Sequence, residues 1–390
     1  MSKSDQHHEP KCVFILTDIP TASYAREKVL TNFETCDGDM TMAKNRTTEP
    51  KPFTPIPTQW VGPIEITGEH VEEQISVPLA TFEAPLWPST ARGARVSQRS
   101  GGIRCTLVDE RMSRSIMLRA QNGAAAQLTW QALSERKEEI AEVIKKTGRF
   151  VQLLSMNRQI IGNLIYIRME CITGDASGHN MVTKAADAAI EWILQQYPEL
   201  DYASISGNYC CDKKNSAVNG ILGRGKYVIS EIEIPREIVV RMLRTTPEKM
   251  VRLNVEKNLI GGTVAGSLRS ANAHFANMLL AFYLATGQDA ANIVEGSQGI
   301  VHCEARNEAL YFSCTLPNLI VGSVGNGKSN PQVEAHLKRI GCREERIPGD
   351  NARRLACVCA ATVLCGELSL MAAQTNPGEL MRAHIKMERA

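Results

Sequence analysis

The chain has 390 residues, 43% of them hydrophobic and 22% charged, with a formal net charge of +2. That length exceeds one ordinary hydrophobic core and implies two lobes, or one large α/β unit with an insertion. The near-neutral balance excludes nucleic-acid binding driven by overall charge, and the composition excludes a disordered or fibrous chain.

Residues 1–51 alternate amphipathic pieces with polar stretches and read as an N-terminal polar and helical segment. Within it the pattern at 24–33 predicts a short helix, and the Thr/Pro-rich stretch 47–57 predicts a linker. The opening residues have no basic-then-apolar leader pattern. Strands are predicted at 64–66 and 74–77. From 115 to 205 the pattern is that of a compact α/β insert: a helix over 130–146, strands at 150–154 and 164–170, then an amphipathic helix over 181–196. The remaining 52–114 and 206–390 form the large domain.

Apolar Leu268, Ala271, Phe275, Met278 and Phe282 recur at three- and four-residue spacing, which predicts a long central helix over 266–287. His274 and Asn277 would then share a face. A second long helix is predicted over 351–374. Its apolar run, 355–365, is shorter than the ~20 residues a bilayer requires, so no membrane span is expected. Twelve cysteines are scattered without a CxxC pair or a His/Cys metal spacing. They read as reduced, mostly buried thiols of a cytoplasmic protein with no metal site. GSVGNGKS, from Gly322, satisfies the phosphate-loop pattern GxxxxGK[ST] and makes nucleotide hydrolysis a remote alternative. Against it, the 61 residues after Ser329 hold no apolar strand ending in a metal-binding aspartate.

Five blocks carry more information than these patterns: GDASGHNMVTKA (174–185), SGNYCCDKKNSAVNGILGRGK (206–226), NVEKNLIGGTVAGSLRSANAHFANM (254–278), ATGQDAANIVEGSQ (285–298) and GELSLMAA (366–373). Over about residues 52–390 the chain resembles the catalytic portion of 3-hydroxy-3-methylglutaryl-CoA (HMG-CoA) reductase, in its class I form, without the membrane anchor of animal members. The resemblance implies an α/β fold with a small inserted dinucleotide-binding domain that is not of the Rossmann type. It also implies reduction of HMG-CoA to mevalonate with two NADPH, NADH being the less favoured cofactor, and a homo-oligomer with its active site at a dimer interface.

The chemistry assigns roles. Reducing a thioester to an alcohol takes two hydrides, so the protein must stabilise an oxyanion and protonate a thiolate and an aldehyde oxygen. By resemblance, Lys213 holds the oxyanion, Asp289 couples to it, Glu83 donates a proton if its surroundings raise its pKa, and His384 protonates the CoA thiolate. His274 is the competing histidine and is given a structural role. Arg114, Lys214 and Lys257, with Ser206, Asp212 and Asn277, match the substrate-binding positions. Asp175, Asn180, Gly322, Gly325 and Gly327 match the cofactor elements, and Arg95, Arg149 and Arg389 the basic positions near an adenosine 2′-phosphate, which favours NADPH. Lys328 is expected to face cofactor phosphate or solvent. The segment EAPLWPS after Glu83 departs from the family pattern. That departure makes a non-catalytic homologue that binds a CoA thioester the second reading.

Overall fold

The computed structural model describes residues 54–388. The helix expected at 24–33 and the cofactor position Arg389 lie outside these residues.

Strict alternation of inward and outward side chains makes Gly225–Pro235 a strand: Val228, Ile232 and Ile234 are buried while their neighbours face out. Nine strands are present among the described residues: β1 Thr58–Thr67, β2 Glu73–Ala80, β3 Ile103–Arg119, β4 Gln152–Ile161, β5 Leu164–Ile172, β6 Asp201–Ser204, β7 Gly225–Pro235, β8 Ile300–Arg306 and β9 Ala309–Leu319. The main order is β2-β1-β3-β7-β9-β8, antiparallel except where β1 runs parallel to β3 at Ile66 and Ile103. β3 continues into a second group. Its first half pairs with β7, from Arg104 to Arg111, and its second half with β5, from Met112 to Arg119, and with β6. All pairings in the β4-β5-β3-β6 group are antiparallel, unlike the parallel order of a Rossmann sheet.

Two apolar cores follow this division. One gathers side chains such as Ile64, Val228, Phe282, Phe312 and Leu364. The other gathers Ile116, Ile167, Ala186 and Ile193 with the helices Gly123–Glu135, Lys137–Lys145 and His179–Gln196. The expected single helix over 130–146 is two helices, because Arg136 leaves helical geometry at φ −98°, ψ 23°. There its guanidinium pairs with Glu139 at 2.7 Å and lies 4.5 Å from the Trp192 ring centre.

The helix expected over 266–287 is found only at Phe275–Ala285. Tertiary hydrogen bonds override the periodicity before it. The Glu367 carboxylate accepts the N–H groups of Ala273 and His274, Asn272 donates to the carbonyls of Ser297 and Gly299, and Arg269 adopts a left-handed φ of 52°. Leu268 is consequently half exposed rather than part of an apolar stripe.

The central helix of the first core is instead Asp350–Gln374, close to the second expected helix. Alanine-rich sequence favours it, and Thr375, Pro377 and Gly378 follow its end. By length and composition it could cross a membrane, contrary to the expectation from 355–365, but its apolar window is 94% buried inside the protein. It is a core helix. The ten cysteines among the described residues are free thiols, and only Cys211 is not buried.

The helix Leu86–Arg99 packs on this core helix so closely that a Cβ on Gly93 would stand 2.2 Å from the Cys365 carbonyl oxygen. Backbone cannot yield there as a side chain can. Gly93→Ala is therefore expected to lower stability by about 1–3 kcal/mol in urea unfolding. An unchanged midpoint would show that the two helices can separate at no cost.

Candidate active site

The four catalytic residues predicted from sequence line two cavities that have no lining residue in common. The first, of about 260 Å³, is lined by Glu83, Pro85, Arg92, His274 and His384 among others. Glu83 follows β2; its N–H donates to Thr81 Oγ1 at 3.0 Å, its carbonyl accepts from Leu86, and its carboxylate accepts from Asn277 Nδ2 at 2.9 Å. The unusual 84–88 segment opens the helix Leu86–Arg99. Pro85 is its N-cap and Pro88 sits in the first turn, where no N–H is required by the helix. His274 is not in mid-helix. It caps Phe275–Ala285 with Nε2 3.9 Å from Glu367 and side-chain exposure of 8%. Lys257 lies near the same glutamate: burial lowers its pKa, the Glu367 charge opposes that shift, and its ammonium donates to Asn258 Oδ1 at 3.0 Å.

The second cavity, of about 490 Å³, is lined by Arg114, Asn180, Asp212, Lys213, Asp289 and Gly325 among others. Lys213 Nζ is 2.7 Å from Asp289 Oδ2. That hydrogen bond raises the lysine pKa above its ordinary value, against the lowering effect of burial. For Asp289, burial pushes the carboxyl up, but the bonds from Lys213 and the Ala291 N–H outweigh it and the net shift is downward. The loop carrying Lys213 holds Asn208, Cys211 and Lys213 at φ of 58°, 42° and 56°, the left-handed region that side-chain-bearing residues seldom occupy.

Three residues that the sequence reading passed over support this loop. Arg224, 1% exposed, reaches Asp212 at 3.0 Å and Glu295 at 2.8 Å. Glu295, wholly buried, accepts the Lys213 N–H at 3.1 Å; burial raises its pKa, and Arg224 opposes the shift. His179 stands 3.7 Å from Asp212, and burial followed by the Arg224 charge lowers its pKa to about 4. All three lie inside the blocks quoted above, beside the residues singled out, but nothing in sequence marks them as buried.

Other predicted residues are placed differently. Asp175 does not line the cavity: its carboxylate accepts the N–H groups of Gly349 and Ala352 at 2.9 and 3.0 Å and so caps the core helix. Gly322 presses on the same loop, where a Cβ would meet the Ser177 nitrogen at 2.4 Å. Gly327 packs against Gly287. Lys328 lines the second cavity, but little of it reaches solvent. It is 4% exposed and donates to the Gly287 carbonyl at 2.6 Å, with its pKa lowered to about 8 by burial. Its ammonium is committed to that carbonyl, whereas a phosphate-loop lysine must reach a nucleotide, which counts against nucleotide hydrolysis. Ser206 and Lys214 line neither cavity; Ser206 exchanges hydrogen bonds with Ser204, and Lys214 Nζ donates to the Asp212 carbonyl at 3.1 Å. Arg95 and Arg149 are exposed and also outside both linings.

With the geometry in place, similarity to known proteins identifies the family. A family model described as hydroxymethylglutaryl-coenzyme A reductase matches residues 44–389, and the chain belongs to that family. It is 42% identical over 343 residues to 3-hydroxy-3-methylglutaryl-coenzyme A reductase 2 of Dictyostelium discoideum, covering 86% of this chain and 64% of that relative, slightly less than two thirds of its length. It is 42% identical over 332 residues to 3-hydroxy-3-methylglutaryl-coenzyme A reductase of Pyrococcus horikoshii, covering 84% and 80%. Among solved structures, the class II enzyme of Streptococcus pneumoniae bound to NADPH in open conformations superposes with a TM-score of 0.66 at 16% identity, over 86% of this chain and 89% of that one. At that identity the likeness shows a shared mixed α/β fold.

The charges make two predictions. Asp289→Asn removes the anion that holds the Lys213 pKa up, so Lys213 will titrate at lower pH, read from its side-chain carbon resonance. An unmoved titration would mean the ion pair does not persist in solution. His179 takes up a proton near 6.5 when unfolded but near 4 when folded, so stability falls as pH drops through that window. His179→Gln is expected to remove up to about 1.4 kcal/mol per pH unit of that slope. Urea unfolding at pH 4 to 7 would show this, and an identical slope in the variant would exclude it.

Proposed function

We propose that the chain reduces HMG-CoA to mevalonate and CoA, consuming two NADPH and two protons. The observation that carries the reading is the Lys213–Asp289 pair beside Asp212, all three in the family's own sequence blocks, with Arg114 lining the same cavity. NADPH, when bound, supplies hydride to the acyl carbon in each of the two reductions. The protein's residues do the rest. The Lys213 ammonium stabilises the oxygen anion, and Asp289 keeps that lysine charged. His384 protonates the departing thiolate, and Glu83, oriented by Asn277, donates the proton to the aldehyde oxygen. Arg114, Lys214 and Lys257 bind the substrate carboxylate, with Asp212, Ser206 and the Glu83-bonded Asn277 as polar partners.

The second cavity fits a dinucleotide. Asn180 and Gly325 line it, and Gly178, the N-cap of the 18-residue helix His179–Gln196, leaves the first-turn N–H groups without a side-chain cap. We assign residues 115–205 as the small cofactor domain, with 52–114 and 206–390 as the large catalytic one. Arg149 stacks on Phe150, whose side chain packs 3.4 Å from a Cβ position on Gly174, so its charge borders the GDASGHN loop where a 2′-phosphate would favour NADPH. Arg95 lies on the helix that lines the first cavity.

Glu83 and His384 occupy one cavity, and Lys213 and Asp289 the other. A homodimer that joins the first cavity of one protomer to the second of its partner completes the set. Exposed Val255, Leu259, Ile260 and Val264 offer an apolar surface for such a contact.

Purified protein with HMG-CoA is expected to oxidise two NADPH per mevalonate formed, and Lys213→Ala to lose that turnover. Binding of HMG-CoA without oxidation would support the non-catalytic reading. Co-expression of inactive Glu83→Gln with inactive Lys213→Ala should restore about a quarter of wild-type activity, because half of random dimers would carry one intact site of two. No recovery would exclude a site shared between protomers.

A further inference from the structure

A fully buried guanidinium stands behind the reactive lysine. Arg168, on β5, has no exposed surface. Its Nε donates to Glu170 at 2.8 Å, and its remaining bonds all leave the sheet for the segment between residues 209 and 223. Nη1 donates to the Tyr209 carbonyl at 3.1 Å and to Asn219 Oδ1 at 2.8 Å, and Nη2 to the Gly223 carbonyl at 2.7 Å. Asn219 passes the restraint inward, because its Nδ2 donates to the Cys211 carbonyl at 3.0 Å, two residues before Lys213. The loop so held contains the three left-handed backbones at Asn208, Cys211 and Lys213, a geometry that persists only where surroundings impose it.

We infer that Arg168 is a positioning residue for the reduction: through Asn219 and the carbonyls of Tyr209 and Gly223 it fixes the loop that places Lys213 Nζ on Asp289. The inference rests on the proposed activity for its kinetic readout, but not for its structural one. A planar fork with several donors suits this task, since one side chain must satisfy a carboxylate, an amide and two carbonyls that diverge in direction. Lysine retains the charge but cannot span the same acceptors. Glu170 remains paired with Arg111 at 2.7 Å in such a variant, so the buried carboxylate is not left without a cation. Lys213 itself is faced by Asp212 on its own loop, Asp289 after the helix Phe275–Ala285, Glu295 on the helix Ile293–Gly296, His179 on the helix His179–Gln196, and Arg224 just before β7. Loosening the loop would let the lysine choose among the three carboxylates.

The test uses Arg168→Lys and Asn219→Asp in the full chain. The second keeps Arg168 and its acceptor but replaces the donor to Cys211 by a carboxylate oxygen that repels that carbonyl, so it answers the question even where the first folds poorly. Crystal structures are expected to show Lys213 Nζ drawn away from Asp289 by more than about 1 Å. Kinetics are expected to show kcat for HMG-CoA reduced at least about tenfold per folded molecule, with KM for NADPH within about twofold. Combining either variant with Asp289→Asn should give no further loss, because both changes act on the same placement. An unmoved Lys213 in Asn219→Asp overturns the inference whatever the wild-type activity. A kcat loss that multiplies with that of Asp289→Asn also overturns it. Failure of the wild type to form mevalonate, with Lys213 displaced as expected, counts instead against the proposed function.

Discussion

The ion pair between Arg224 and Glu295 is the contact on which the candidate site depends. Neither side chain reaches solvent, and removing two such ions from water costs several kcal/mol each unless their hydrogen-bonding capacity is met. Here Glu295 Oε1 also takes the N–H of Lys213 and an Asn292 amide at 2.9 Å, and Arg224 extends to Asp212, although Glu295 Oε2 and Arg224 Nε have no partner among the described residues. One buried contact therefore joins the lysine loop, the turn after the helix Phe275–Ala285 and the start of β7. Its worth lies less in net stability than in the geometry it imposes, since any register of these segments that separated the two charges would strand both.

This arrangement also explains why Lys213 can occupy a left-handed backbone conformation. Strain at a single residue is affordable where several bonds from rigid elements converge on it. The loop is bounded on one side by the Arg224 and Glu295 contact and on the other by the guanidinium of Arg168, so its conformation is determined from two independent directions. In the proposed reduction, a lysine held that way would present its charge without a reorganisation step as negative charge develops on the substrate.

Much of this was legible in the sequence, for reasons that differ by element. The strands expected at 64–66, 74–77 and 164–170 and the helix His179–Gln196 follow from local patterning, and the core helix Asp350–Gln374 from its long apolar composition, whereas β3, β7, β8 and β9 were not predicted. The family blocks pointed to Lys213 and Asp289, which the fold brings to within 2.7 Å, and to Glu83 and Asn277, 194 positions apart yet hydrogen-bonded. What escaped was set by distant partners. Periodicity continued the Phe275–Ala285 helix back to Gly266, yet Glu367, some ninety positions later, took the N–H groups that would have extended it. Arg168 and Arg224 look like ordinary charged residues in sequence, and only burial reveals them as the supports of the loop. Asp175 and Lys328 sit in motifs that suggest ligand contact, but the fold gives their polar atoms to a helix end and a backbone carbonyl.

β3 has a mechanical consequence. Because one strand belongs to both sheets, the smaller group of strands is not suspended on a flexible tether; any tilt of it must bend a polypeptide that is hydrogen-bonded along both halves. The pairing with β7 shifts register between Leu107 and Asp109, and half-exposed Val108 lies at that irregularity. A bulge bends and twists the strand that carries it. The bend it puts into β3 comes a few residues before Arg114, so it helps to set the direction from which that guanidinium enters the second cavity.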